Sequence, residues 1–137
     1  MRDSEKLREF GDPGSPVTFI EYVKVKDGVD CDVYSFDDDQ NKDLAIVTVA
    51  QGVKTPRQRV VSGVTTIEGY LSGKGTLSVE SPNGHVEIIY FDEQNPGTVM
   101  VEVGDVMQWT ADPDSELVFS EVCVPPYQEG RFENLPE

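Results

Sequence analysis

Apolar and polar residues exchange places at nearly every step along most of this chain, in short runs broken by Gly, Pro, Asn and Asp. Successive side chains of a strand leave on opposite faces, so runs of this period rich in Val, Ile, Thr, Tyr and Phe fit half-buried strands. From Pro16 onward the pattern predicts strands at Val17–Lys26, Asp32–Phe36, Leu44–Ala50, Arg57–Ser62, Thr65–Leu71, Gly75–Glu80, His85–Phe91, Thr98–Val103, Val106–Thr110 and Leu117–Val124. About ten short strands with no helix between them predict an all-β domain, either a sandwich or a closed barrel. The one helical stretch, Ser4–Phe10, is a turn or two with Ser4 at its cap. Residues 1–15 are therefore expected to be a partly ordered N-terminal extension, and residues 16–137 the domain.

Turn chemistry supports the same division. Pro82-Asn83-Gly84 and Gly73-Lys74-Gly75 each supply the positive φ of a tight turn, and both are expected to close hairpins. The run Asp37–Lys42 is expected to be a solvated loop. It lacks the alternating ligands, central Gly and terminal Glu of a calcium loop.

Composition narrows the partners. The chain has 137 residues and a formal charge of -15, which repels phosphate backbones and anionic headgroups. Neither nucleic acid nor membrane is expected as a partner. The start, MRDSEKLREF, lacks the apolar stretch of a signal peptide, so a cytoplasmic location is expected. Cys31 and Cys123 share no metal or redox spacing and are expected to be buried, reduced thiols.

Three segments carry a resemblance. Val64–Val79 (VTTIEGYLSGKGTLSV), Val101–Asp112 (VEVGDVMQWTAD) and Glu121–Tyr127 (EVCVPPY) are similar, in order and spacing, to the conserved motifs and last barrel strand of the cupin superfamily. The resemblance covers the chain from Gly52 onward and implies a single-domain cupin-type jelly-roll barrel with an open mouth. It also implies a homodimer, since small cupins commonly pair through edge strands. Most cupins hold a divalent metal with three histidines and a glutamate. Here the glutamate position falls on Thr66, the paired histidine positions on Arg59 and Val61 or on Val60 and Ser62, and the last near Ser115. None of these is a good ligand for a divalent cation, so neither metal nor cofactor is expected. The chain's only histidine, His85, follows Asn83-Gly84 and is read as an exposed turn residue.

Alternation puts Thr66, Glu68 and Tyr70 on one strand face, which points into the barrel if Thr66 occupies the old ligand position. A carboxylate there either pairs with a cation or raises its pKa, as a general base requires, so Glu68, helped by Tyr70, is the catalytic candidate. Arg57 and Arg59 alternate on a neighbouring segment and are candidates to grip an anionic group; Thr66, Gln108, Trp109 and Glu121 complete the ligand-binding set. Gln108 and Trp109 are adjacent, so only one of them can face the pocket.

The expected function is a metal-free pocket for a small polar or anionic, carbohydrate-like ligand, with proton transfer of the isomerase or lyase type. The alternative is a non-catalytic ligand-sensing or protein-interaction module, its pocket closed by an ion pair of Arg59 with Glu68 or Glu121. A third arrangement would hold a metal with Glu68, Glu121 and Gln108.

Overall fold

The computed structural model describes residues 16–136, and the helical turn expected at Ser4–Phe10 lies outside them. The described residues form strands β1 (Val17–Lys26), β2 (Val29–Phe36), β3 (Asp39–Val49), β4 (Gln58–Val60), β5 (Thr65–Gly73), β6 (Gly75–Glu80), β7 (Val86–Phe91), β8 (Thr98–Val101), β9 (Val106–Ala111), β10 (Leu117–Val124) and β11 (Phe132–Asn134). They make two facing sheets, ordered β1-β2-β3-β10-β5-β8 and β11-β4-β9-β6-β7. The architecture is the expected all-β jelly-roll barrel. Its long-range pairing places β10, near the end of the chain, between β3 and β5.

The interior fills by alternation. On β9, Met107, Trp109 and Ala111 point inward, where they meet Leu77 of β6, Phe91 of β7 and Phe119 of β10 in the main core. The larger sheet has a second apolar cluster built on Tyr34, Leu44, Ile46 and Val122. These residues alternate with the ones that face the barrel, so this sheet is apolar on both sides. β1 is its edge strand, and Phe19, Ile20 and Tyr22 are each more than half exposed.

Two local expectations need correction. Asp37–Lys42 is not a loop: only Asp37 and Asp38 form the turn, and β3 starts at Asp39, with Phe36 opposite Asp39 and Ser35 opposite Asp43. This end of the hairpin is mostly exposed, so its polar residues sit in strand geometry and hide the strand from a hydrophobicity pattern. Gly73-Lys74-Gly75 does not close a hairpin either, because β5 and β6 lie in different sheets. The glycines serve backbone approach instead. A Cβ on Gly73, at φ 85°, would lie 1.8 Å from the carbonyl oxygen of Glu116, and one on Gly75 would lie 2.4 Å from that of Thr110. Beyond the last predicted strand, β11 pairs with β4 by setting Phe132 opposite Val60. Pro82-Asn83-Gly84 does turn β6 into β7, with Gly84 at φ 88°.

Candidate functional site

The barrel is hollow toward one end. A cavity of about 940 Å³ is walled by β1, β2, β3, β5 and β10 of the larger sheet and by β4, β9 and β11 of the smaller one. Its lining includes Glu68, Trp109, Phe119, Glu121, Cys31 and Cys123.

Glu68 is the centre of this site. It is fully buried on β5, on the same face as the buried Thr66 and Tyr70. Antiparallel pairing sets Glu68 directly opposite Glu121 of β10. Like charges in such a cross-strand position repel. Across the barrel, the indole Nε1–H of Trp109 donates to Glu68 Oε1 at 2.7 Å, so one hydrogen bond ties the two sheets together. Glu68 Oε2 has no N–H or O–H donor. The group facing it is the other carboxylate, and two carboxylates can bond only through a shared proton.

The electrostatics favour that proton. Burial pushes the Glu68 carboxyl well above the usual glutamate range, repulsion from Glu121 adds to this, and the Trp109 hydrogen bond offsets only part of it. Glu121 is raised too, by burial and then by Asp43, while its bonds to Glu68 and Cys123 pull the other way. Glu121 is partly buried whereas Glu68 is fully buried, so desolvation weighs most on Glu68. Asp43 of β3 lies opposite Cys123 of β10, lines the cavity and accepts a 2.9 Å hydrogen bond from the Tyr127 backbone N–H. Burial is the main cause that raises its pKa as well. Both cysteines are free thiols in the wall. Burial first, and then Glu121, pushes the Cys31 thiol up to about 12 and Cys123 upward as well, so neither is a thiolate nucleophile at neutral pH.

The remaining candidates separate from this centre. Arg57 and Arg59 lie on the outside of the smaller sheet, Arg57 3.6 Å from Glu80 and Arg59 3.8 Å from Glu133. The reason is register: on β4 it is Gln58 and Val60 that turn inward, Gln58 into the cavity wall and Val60 into the core. No ion pair of Arg59 with Glu68 or Glu121 forms. Tyr70 shares the inward face, but its ring stacks on Phe91 and its hydroxyl donates to the Gly73 carbonyl at 2.8 Å, outside the cavity lining. Burial, with Glu93 and Asp92 nearby, also raises its phenol pKa. Of the adjacent pair on β9, Trp109 faces inward, and Gln108 is directed to the Thr55 carbonyl at 2.9 Å. Gln108 therefore cannot join Glu68 and Glu121 around a metal.

Thr66 is fully buried but serves an unexpected residue. Arg131, in the tail, is itself buried and donates to Thr66 Oγ1 at 3.1 Å and to the carbonyls of Pro125, Thr65 and Val124. A guanidinium thus occupies the neighbourhood of Thr66, the position that resembles a metal ligand. Among the described residues no three His, Cys, Asp or Glu side chains come together to hold a metal ion. His85 is exposed at the β6–β7 turn, 3.7 Å from Glu87. The donor set around Glu68 does not fit the site of three histidines and a glutamate that the sequence resemblance implies.

Sequence reasoning missed Arg131, Asp43 and the wall positions of both cysteines. The one signal for the tail was Arg131-Phe132, a cation and an aromatic ring in an otherwise mostly polar stretch.

No family model and no curated protein matches the sequence. Solved structures do match its fold. The capsular polysaccharide assembling protein CapF from Staphylococcus aureus superposes with a TM-score of 0.68 at 13% identity, over 92% of this chain and 33% of that one. Bacillus subtilis oxalate decarboxylase, a protein with Mn(II) centres, superposes with a TM-score of 0.70 at 18% identity, over 85% of this chain and 30% of that one. The chain spans about a third of the length of these proteins, and identities this low carry the fold alone: a cupin-type barrel.

Proposed function

We propose that this cupin-fold domain binds a small polar molecule in its barrel and that the Glu68–Glu121 pair moves a proton to or from it. The observation that carries the reading is the pair itself. Two carboxylates stand opposite each other at the floor of a large cavity, one clamped by an indole N–H and holding an oxygen with no donor. Burial and mutual repulsion favour a proton shared by such a pair, and a group that can release or accept a proton is what isomerase or lyase chemistry requires. Trp109 fixes Glu68, Glu121 presents the exchangeable position to the cavity, and the raised thiols leave the carboxylates as the proton-active groups of this wall.

The anionic part of the expected ligand has no support in the site, since Arg57 and Arg59 face away. The ion pair that would close the pocket in a non-catalytic module does not form, which favours the open, chemically active reading. The test begins with thermal unfolding of the purified protein against neutral sugars, sugar phosphates, carboxylic acids, amines and divalent metals. A compound bound only by the native state raises the midpoint. For a compound that does so and is converted, Glu68→Gln should lower turnover at saturating compound at least about 100-fold. Undiminished turnover in that variant would remove the pair from the chemistry.

A further inference from the structure

The charges around the cavity are one-sided. Six acids line it, Glu21, Asp37, Asp39, Asp43, Glu68 and Glu121, against two cations, Lys24 and Lys42. Both lysines are engaged at the rim: Lys24 Nζ lies 3.2 Å from Asp27, and Lys42 Nζ lies 4.7 Å from the centre of the Phe36 ring. Arg131 stands behind the wall and spends its Nη hydrogen bonds on Thr66 and three backbone carbonyls. Acidity alone would mark only a solvated surface. The deeper observation is Glu68 Oε2, a carboxylate oxygen with no hydrogen-bond donor on a fully buried side chain at the cavity floor. Aromatic rings line the same cavity: Trp109 and Phe119 stack at 4.4 Å between centroids, and Tyr127 and Phe132 stack at 5.9 Å.

We infer that the cavity takes a small organic cation, an ammonium group on an apolar or aromatic body, with Glu68 and Glu121 as the residues that recognise its charge. This rests on the pocket reading above and names its ligand class. An ammonium carries three donors and no acceptor, so one such group can satisfy Glu68 Oε2 and Glu121 together, which no neutral hydroxyl does with a single proton. Its charge replaces the proton that holds the pair together, and that proton leaves to solvent as the cation binds. The rings supply apolar contact for the body and favourable faces for the positive charge. A carboxylate or phosphate of the same size would meet the same carboxylates with no free guanidinium on the wall.

Three compounds of one shape separate the possibilities: 2-phenylethylamine, 2-phenylethanol and phenylacetate, titrated at pH 7. Trp109 is the chain's single tryptophan and lies in the cavity wall, so its fluorescence reports binding there directly. The amine should give a saturable change at least about tenfold tighter than the alcohol, and the acid should be the weakest of the three. Glu68→Gln and Glu121→Gln, each checked for folding by far-UV circular dichroism, should reduce the amine's advantage to under about threefold. If one of them does not fold, the other carries the comparison. Equal binding of amine and alcohol, tighter binding of the acid, or an advantage that survives the substitutions would overturn the inference while leaving the pocket reading in place. No response to any of the three would also overturn the inference, and the pocket reading falls with it only if no compound of the thermal-unfolding panel raises the midpoint.

Discussion

The two halves of the barrel interior are filled by opposite means. One half is packed: Tyr70, Leu77, Phe91 and Leu117 close it with rings and methyl groups, and the one polar side-chain atom among them, the Tyr70 hydroxyl, is bonded. The other half is hollow, and its wall carries Glu68, Glu121, Asp43 and two thiols. Packing of the first kind stabilises the fold, whereas carboxylates facing one another across a strand pair work against it. A wall that is costly to fold and well placed for proton chemistry is the expected mark of a functional surface. Trp109 is the seam. One side of it stacks in the packed half, and its N–H reaches the first carboxylate of the hollow half.

Breaking that seam should have the largest effect on stability. Trp109→Ala removes the largest fully buried side chain and leaves Glu68 Oε1 without its donor. A loss of about 3–5 kcal/mol is expected, read from urea unfolding followed by far-UV circular dichroism. A loss under about 1 kcal/mol would mean that the two halves do not depend on each other through this residue.

How much of this contrast could be read from the sequence follows from which information is local. The inward face of β5 was legible, because period-two alternation fixes Thr66, Glu68 and Tyr70 relative to one another wherever the strand goes. The partner of Glu68 was not, since Glu121 arrives through the pairing of β10 with β5, strands far apart in the chain. Arg57 and Arg59 were misjudged for the same reason. They precede β5 in sequence, yet β4 belongs to the opposite sheet and pairs with β9 and β11, in a register that turns both guanidiniums out. Arg131 was missed because a charged residue in a polar tail gives no sign of burial. Its side chain is held by the carbonyls of Thr65, Val124 and Pro125, groups that come together only when β5 and β10 pair.

The hollow half can be sharpened by pH. The folded pKa of Glu68 is raised above its ordinary value of 4.5, so the folded state holds this proton more tightly than the unfolded chain does. Stability from the group is therefore complete below about pH 4.5 and is lost as pH rises toward and through the folded value. Glu68→Gln keeps the shape, can still accept from Trp109 through its carbonyl, and has nothing to ionise. The variant should match the native protein near pH 4 and exceed it by more than about 1 kcal/mol at pH 8, as each unit of pKa shift is worth about 1.4 kcal/mol. Glu121 and Asp43, raised in the same direction, leave a smaller slope behind. Thermal melts of both proteins across pH 4–9 measure the difference, and parallel curves would show that Glu68 is not the group that titrates.

The smallest effect is expected where the sequence suggested a central role. Arg59 lies 3.8 Å from Glu133, with both side chains about half exposed, and such a pair is weakened by water and by the freedom of two long side chains. Arg59→Ala should change stability by less than about 0.5 kcal/mol and leave the relative binding of amine, alcohol and acid unaltered. This variant tests the contrast from outside. If a guanidinium on the outer face of β4 governed what the cavity accepts, the ligand charge would be set by the surface, and the Glu68–Glu121 floor would be a structural defect rather than a site. A loss of binding on removing Arg59, with the fold intact, is the result that would force that exchange of roles.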